Sequence, residues 1–240
     1  MANMPIESPL YTWLKESTDR LRKEGRPIVT LSYAQSLDGS IALRRGSPLA
    51  MSGPESMRMT HRLRAAHDAI LVGIGTIQAD DPQLTVRVAE GKSPTPVILD
   101  SHLKAQATAK VFQHLEKPIL ACLEAEAKSG KATSLTRAGG VILPVKDDGE
   151  GHVSLPDLLN ALDQRGIHFV MVEGGAKVIH EFLRQCLVDR VVLTIVPVFV
   201  GGLKAVENPV DLQGNDRLRL KNAGVEPAGN DFVAFGELDK

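Results

Sequence analysis

Apolar residues fall along this chain in short continuous runs, separated by stretches in which they recur at helical spacing. Residues 28–36 are rich in β-branched and apolar side chains and predict a strand. The turn residues Leu37-Asp38-Gly39-Ser40 break it before Ile41-Ala42-Leu43 resumes an apolar run. Residues 69–72 are continuously apolar, as a strand covered on both faces requires, and Gly73-Ile74-Gly75-Thr76 closes the run as a turn. Comparable runs predict strands at 96–99, 119–123, 141–145, 169–172 and 191–200.

Helices are predicted where the period changes. Leu155, Leu158, Leu159 and Leu162 share one face of a helix over 155–165; Val178, Ile179, Phe182, Leu183 and Leu187 do the same over 176–187. Ser52-Gly53-Pro54-Glu55 sets an N-cap residue, a first-turn proline and an early acid ahead of a helix running to about His67. Strands alternating with helices predict an α/β fold with a central, mostly parallel sheet flanked by helices. In the tail, Arg217-Leu218-Arg219-Leu220 and Phe232-Val233-Ala234-Phe235 alternate polar and apolar residues around a Gly/Pro loop, as an antiparallel hairpin at the sheet edge does. Residues 1–26 hold the only tryptophan, Trp13, in a charged segment through Arg22-Lys23. It reads as an amphipathic helical arm suited to covering an edge or reaching a partner chain. With no internal repeat or low-complexity linker, residues 27–240 read as a single domain, and the polar, Gly-rich 147–152 as a loop.

Composition narrows the function. A chain of 240 residues with 43% hydrophobic positions can bury the core of one full α/β domain. Its formal net charge of -1 offers no basic field for nucleic acid, so an anionic ligand has to be met locally. Cys122 and Cys186 each lie in an apolar run that suits a small buried hydrophobe, which argues against a disulfide or a zinc site. The N-terminal residues do not read as a secretory signal, and no apolar stretch approaches the about 20 residues that span a bilayer. A cytoplasmic, reducing location is therefore expected.

Several segments place chemistry-bearing residues where an α/β sheet binds ligands. Phe169-Val170-Met171-Val172-Glu173-Gly174-Gly175-Ala176 and the helix after it form a strand, a glycine turn and a helix N-terminus. Such a junction serves either as a tight connection or as a phosphate site, because free backbone N–H groups and the helix dipole converge there and glycine admits close approach. Glu173, at the carboxyl end of the strand, stands where open sheets take their ligands. Asp80-Asp81-Pro82, followed by Arg87, fits an Asx-type turn or a ligand rim. On the helix from Ser52, Arg58 and Arg62 share a face while Arg64 points elsewhere; each fits a solvated face or a phosphate clamp. His61 and His67, six apart, cannot share a metal and read as surface or interface residues. Gly73-Ile74-Gly75-Thr76 is an incomplete dinucleotide fingerprint, and no Walker A, Ser-His-Asp or zinc-deaminase pattern is present.

In order, these pieces resemble one family. Ser32-Tyr33-Ala34-Gln35-Ser36-Leu37-Asp38-Gly39-Ser40-Ile41-Ala42 comes first, then Thr60 through Thr76 (with Arg64-Ala65-Ala66-His67-Asp68-Ala69-Ile70-Leu71-Val72-Gly73) running into Ala79-Asp80-Asp81-Pro82. Val97-Ile98-Leu99-Asp100-Ser101, Val172-Glu173-Gly174-Gly175 and Leu187-Val188-Asp189 follow. Over about residues 27–238 the chain is similar to the pyrimidine reductases of riboflavin biosynthesis. That resemblance implies a dihydrofolate-reductase-like fold, a homodimer and NADPH as cofactor, with no metal. It implies that Thr76 and Asp80 contact the nicotinamide nucleotide, that Gly174, Gly175, Ala176, Lys177 and Val178 hold its phosphates, that Ala34 lies against it through its backbone, and that Ser101 stands near its adenosine. Arg64, Leu84, Arg87 and Glu173 match positions that hold the substrate, Glu173 being the catalytic candidate.

The implied reaction opens a ribosylamine to an imine at C1′ and reduces it by hydride to a ribitylamine. Bacterial bifunctional members carry Lys where Ser32 stands and Trp-Ile-Thr where Ala50-Met51-Ser52 stands, and they carry a deaminase domain for which these residues hold no counterpart. The Tyr33-to-Asp38 segment is instead similar to the stand-alone fungal and archaeal enzymes. The substrate is therefore either 2,5-diamino-6-ribosylamino-4(3H)-pyrimidinone 5′-phosphate or its deaminated uracil counterpart. Two rival expectations are a paralogous NADPH reductase acting on another pteridine or pyrimidine, including dihydrofolate, and a non-catalytic nucleotide-binding module.

Overall fold

The structure, a computed structural model, describes residues 8–21, 25–44, 46–47, 49–206 and 218–239. Parts of two predicted elements lie outside the described residues: the ends of the N-terminal arm, including Arg22 and Lys23, and Arg217 of the tail. The chain runs α1 (Pro9–Leu21), β1 (Ile28–Ser36), β2 (Ser40–Ala42), α2 (Pro54–Ala65), β3 (Ala69–Gly73), α3 (Ile74–Asp80), β4 (Thr95–Leu99), β5 (Ile119–Leu123), α4 (Gly130–Arg137) and β6 (Val141–Val145). It continues through α5 (Leu155–Asp163), β7 (Phe169–Gly174), α6 (Ala176–Arg184), β8 (Arg190–Val196), β9 (Leu203–Lys204), β10 (Arg219–Ala228) and β11 (Asp231–Asp239).

Among the described residues nine strands form one sheet in the order β10-β11-β8-β1-β7-β3-β4-β5-β6, and β2 pairs with β9 apart from it. The pairings from β8 to β6 are parallel, while β11 joins β8 and β10 joins β11 antiparallel. The expected mostly parallel sheet with an antiparallel C-terminal hairpin at its edge is thus present. Parallel strands need both faces covered, and the apolar runs supply that. Leu71 of β3 and Val172 of β7 face a core closed by Leu158, Leu159 and Leu162 of α5 and Ile179 and Phe182 of α6. Their neighbours Ile70 and Met171, a register pair, face the other way. On that second face Ile70 joins Ile77, Leu103 and Leu135, whereas Met171 joins Leu10, Trp13 and Leu14 of α1, Met59 and Leu63 of α2, and Phe235 of β11. The Trp13 helix therefore lies on a sheet face of its own chain, with the Trp13 and Phe235 rings 5.1 Å apart.

Five segments depart from their sequence pattern. Residues 73–76, expected as a turn, form the start of α3 instead: Gly73 is its extended N-cap, and with little apolar spacing beyond Ile74 and Ile77 so short a helix leaves no period to read. The 191–200 run stops being strand at Val196, because Pro197 has no N–H for a ladder, and Val198 and Phe199 turn outward. In the tail hairpin the Gly/Pro stretch does not form the loop. Gly224 and Pro227 lie within β10, Pro227 is tolerated on an edge strand, and the chain reverses at Gly229-Asn230. The helix α4 was not anticipated; its signal is Ser129, whose hydroxyl accepts the Ala132 N–H at 3.2 Å. At α2 the N-cap is Gly53 rather than Ser52, and the Asp231 carboxylate of β11 accepts the Gly53 N–H at 2.8 Å.

The Leu37-Asp38-Gly39 turn is tied down from several directions. Asp38 accepts from the hydroxyls of Ser36 and Ser40, the amides of Val200 and Gly201, and the Lys204 ammonium at 2.7 Å. These partners, Lys204 first, hold its carboxyl well below the usual range. Cys122 is buried and Cys186 half-buried, and both are free thiols. No helix among the described residues is long and apolar enough to cross a membrane.

Candidate active site

The carboxyl end of β7 carries a β-bulge. Leu71 pairs with Val172, but the next residue of β3, Val72, pairs with Gly174, so Glu173 is an extra residue on the β7 side. Met171 faces α2, and strand alternation presents Glu173, two residues on, to the same face. Arg64, in the last turn of α2, meets it as a two-pronged fork: Nε donates to Oε1 at 2.6 Å and Nη2 to Oε2 at 2.7 Å. The third guanidinium nitrogen, Nη1, donates to the Thr85 carbonyl at 3.1 Å. Both side chains are mostly shielded, at 12% and 16% exposure, so the charges act in a low-dielectric setting. Burial alone would lower the Arg64 pKa, but the charge and hydrogen bonds of Glu173 outweigh it and the net shift is upward.

The fork also pins the 84–87 strap. Thr85 gives its carbonyl to Arg64 and its hydroxyl to Arg87 Nη1 at 2.8 Å, and His61 Nδ1 accepts the Arg87 N–H at 2.9 Å. Accepting at Nδ1 leaves the proton on Nε2. Burial, then the Arg64 and Arg87 charges, pushes His61 down to about 4 against the opposing pull of Glu173, so the ring is neutral at pH 7. His61 and His67 are buried within the chain, at 1% and 6% exposure, which corrects the expectation that they are surface or interface residues. His61 lies on α2 and His67 two residues past its end, and the polar ring atoms find partners inside. His67 Nδ1 meets the Leu63 carbonyl at 2.6 Å and Nε2 the Thr30 hydroxyl at 2.8 Å.

Immediately after Glu173, Gly174 and Gly175 both take positive φ, 88° and 91°, which a side chain would strain. A Cβ on Gly174 would sit 2.7 Å from Ile179, and one on Gly175 would sit 3.2 Å from Thr76 Oγ1. Thr76, in the first turns of α3, donates its hydroxyl to the Gly174 carbonyl at 3.1 Å, which joins the starts of α3 and α6. The first i→i+4 bond of α6 runs from the Ile179 N–H to the Gly175 carbonyl, so the N–H groups of Ala176, Lys177 and Val178 have no intrahelical acceptor. The Val178 side chain packs against Gly73, so it is its amide that could meet a ligand. Asp80, exposed at the last turn of α3, has its carboxyl pKa raised by partial desolvation. Leu84 takes φ 55° with its side chain buried at 2% exposure, so only its backbone could face a ligand.

Across the cleft, β1 pairs with β7 only through Leu31, while its pairing with β8 continues to Ser36. From Ser32 onward, one backbone edge of β1, including Ala34, faces away from any β7 partner, and the sheet opens beside Glu173. Ser101, just past β4, accepts the Val153 N–H at 3.1 Å. The structure therefore gathers Arg64, Arg87, Glu173, Thr76 and the α6 N-terminus around one rim. Sequence reasoning missed His61 and the Thr85 carbonyl: the first was legible only as a helix position, and the second is a backbone group.

Residues 27–234 match the family profile of the RibD C-terminal domain. The chain belongs to that family. Over 226 residues this RibD-type domain is 37% identical to the 2,5-diamino-6-ribosylamino-4(3H)-pyrimidinone 5′-phosphate reductase of Archaeoglobus fulgidus, covering 90% of this chain and 100% of that protein. It is 34% identical over 219 residues to the riboflavin biosynthesis protein RibD of Aquifex aeolicus, covering 88% of this chain but only 57% of that protein. Among solved structures, the riboflavin biosynthesis reductase Rib7 of Saccharomyces cerevisiae superposes with a TM-score of 0.75 at 28% identity, covering 97% of this chain and 100% of Rib7. The dihydrofolate reductase of Enterococcus faecalis, solved with NADP(H), has a TM-score of 0.52 at 14% identity, covering 88% of this chain and 97% of that one; the likeness extends to the fold alone.

Proposed function

We propose that this RibD-type domain is an NADPH-dependent reductase that converts the ribosyl arm of 2,5-diamino-6-ribosylamino-4(3H)-pyrimidinone 5′-phosphate to the ribityl form. The observation that carries the reading is the Arg64–Glu173 fork on the bulged end of β7, one residue before the Gly174-Gly175 cradle and the free amides of α6. A carboxylate and a phosphate-type cradle on one turn let a strand serve the reacting centre and the cofactor together. The diamino substrate is favoured over the deaminated uracil because the archaeal protein that bears its name is covered end to end.

The residues present fit a reduced nicotinamide dinucleotide. The double-glycine turn takes positive φ at both residues, which a side chain would strain, and the amides of Ala176, Lys177 and Val178 at the helix start suit its phosphates. In this reading Thr76, whose hydroxyl meets the Gly174 carbonyl, and Asp80, at the other end of α3, serve the nicotinamide nucleotide, the open edge of β1 at Ala34 its ring, and Ser101, just past β4, its adenosine. Bound there, NADPH supplies the hydride for C1′. The chain's own groups do the rest. Arg64 holds Glu173 in one orientation, so the carboxylate positions the substrate without rotamer loss. Arg87, whose guanidinium contacts only Thr85 Oγ1 among the described residues, is available to the 5′-phosphate or the pyrimidine. The Leu84 backbone completes the strap. A homodimer belongs to the same proposal: Leu37, Val198 and Phe199 expose apolar surface, Phe199 at 81%. Sedimentation should give twice the 25.9 kDa chain mass; a monomer would remove that part.

NADPH oxidation by the purified protein, assayed with the diamino pyrimidinone, the deaminated uracil and dihydrofolate side by side, tests the reading. Turnover should be fastest with the first. Turnover with dihydrofolate alone would establish a paralogous reductase, and NADPH binding without turnover on any of them a non-catalytic module.

A further inference from the structure

Residues 82–94 carry the chain from α3 to β4, and among the described residues none of their backbone groups bonds to another backbone group. Side chains hold three consecutive residues of this stretch instead. Arg64 Nη1 donates to the Thr85 carbonyl at 3.1 Å, the Val86 N–H donates to the Ser93 hydroxyl at 3.0 Å, and the Arg87 N–H donates to His61 Nδ1 at 2.9 Å. Farther along, Gly91 takes φ 125° and lies so close to α2 that a Cβ there would stand 2.5 Å from the Ala65 Cβ. The strap is thus fixed to α2 at His61, Arg64 and Ala65.

His61 and Arg64 divide that work. Arg64 ties the strap to Glu173, whereas His61 holds the backbone of Arg87, whose exposed guanidinium bonds Thr85 Oγ1 within the strap itself. The His61 ring is 1% exposed, and a leucine would fill its place without taking a ring nitrogen out of water. What the imidazole adds is one acceptor aimed at one amide. Burial, then the Arg64 charge on its own helix and the Arg87 charge on the strap, keep the ring neutral against Glu173 of β7, so Nδ1 retains its lone pair. Given that Arg87 and Glu173 take the substrate as proposed, we infer that His61 is a positioning residue, which holds the Arg87 amide and so sets the span between the two side chains that grip the substrate. A loosened strap still carries Arg87, so losing the acceptor weakens the hold on the substrate and leaves the chemical step and the α6 cradle in place.

Three variants of the full chain separate positioning from packing. His61→Leu removes the acceptor, His61→Asn keeps a carbonyl oxygen near the place of Nδ1, and His61→Gln carries that oxygen one carbon farther out. In amide exchange followed by nuclear magnetic resonance, the Arg87 N–H should exchange about tenfold faster or more in the Leu and Gln variants and near the parental rate in Asn, with the β3 amides unchanged throughout. With saturating NADPH, KM for the diamino pyrimidinone should rise about tenfold in Leu and Gln and stay within about threefold in Asn; kcat and the NADPH Kd should stay within about threefold in all three. The Gln variant carries the comparison if the Leu chain does not fold. Parental exchange at Arg87 in Leu and Gln, an unchanged KM once that amide is freed, or an Asn variant no better than Gln overturns the positioning role alone. A parent chain that does not turn the pyrimidinone over removes the reductase reading, and the positioning role with it.

Discussion

Glu173 and Arg64 are 109 positions apart in the chain, yet two hydrogen bonds of 2.6 and 2.7 Å lock them together. Nothing in local composition announces that pairing, and it decides what each residue can do. Arg64 is spent on orienting Glu173 and on the Thr85 carbonyl, which leaves Arg87 as the more available cation for the substrate. The two halves of the site should therefore separate on mutation. Glu173→Gln keeps the shape but loses the charge that faces Arg64; its kcat should fall roughly 100-fold or more while the NADPH Kd stays within about threefold. Gly175→Ala should do the reverse. A Cβ at φ 91°, pressed to 3.2 Å from Thr76 Oγ1, distorts the cradle and raises the NADPH Kd with a smaller effect on the chemical step. Steady-state kinetics with a direct NADPH titration would check both, and equal loss of binding in the two variants would contradict the division.

The elements that bring these residues together were legible to different degrees. β1 matches its predicted bounds, and β3, β5 and β6 were readable because a buried parallel strand has to be continuously apolar. The same signal overshot at β8, since Val198, Phe199 and Val200 are apolar without being strand once Pro197 has ended the ladder. The bulge at Glu173 was invisible because it depends on register with β3, and the helix α3 was hidden because it follows β3 without a loop. The α2 helix was found, but His61 on it and His67 just past its end, expected at a surface or an interface, are buried. Their burial makes a testable difference to the whole element. His67 is pushed down from 6.5 to about 4, chiefly by burial. The unfolded chain then takes up a proton below pH 6.5 that the native state refuses, so stability is intact above that pH and falls as pH drops toward about 4. Thermal unfolding followed from about pH 7 to about pH 4 should show a shallower decline for His67→Gln than for the parent chain. Parallel slopes would show that His67 is not the group responsible.

At the scale of the whole molecule, the sheet is a frame whose two faces do different work. One face is closed by α5 and α6 over a continuous apolar core; the other is divided between the α3–α4 side and the α1–α2 side. The Arg64–Glu173 fork sits on the divided face, at the rim where β1 and β7 part company after Leu31 and Val172. That parting, with the α6 amides beside it, is the physical basis for placing a dinucleotide and a ribosyl group within reach of one another. The decisive measurement follows the transferred atom. With NADPH deuterated at both C4 positions and the diamino pyrimidinone as substrate, mass spectrometry of the product should find a single deuterium, located at C1′ of the ribityl chain. A ribityl product without that label, or no product while the cofactor is bound, would contradict the account.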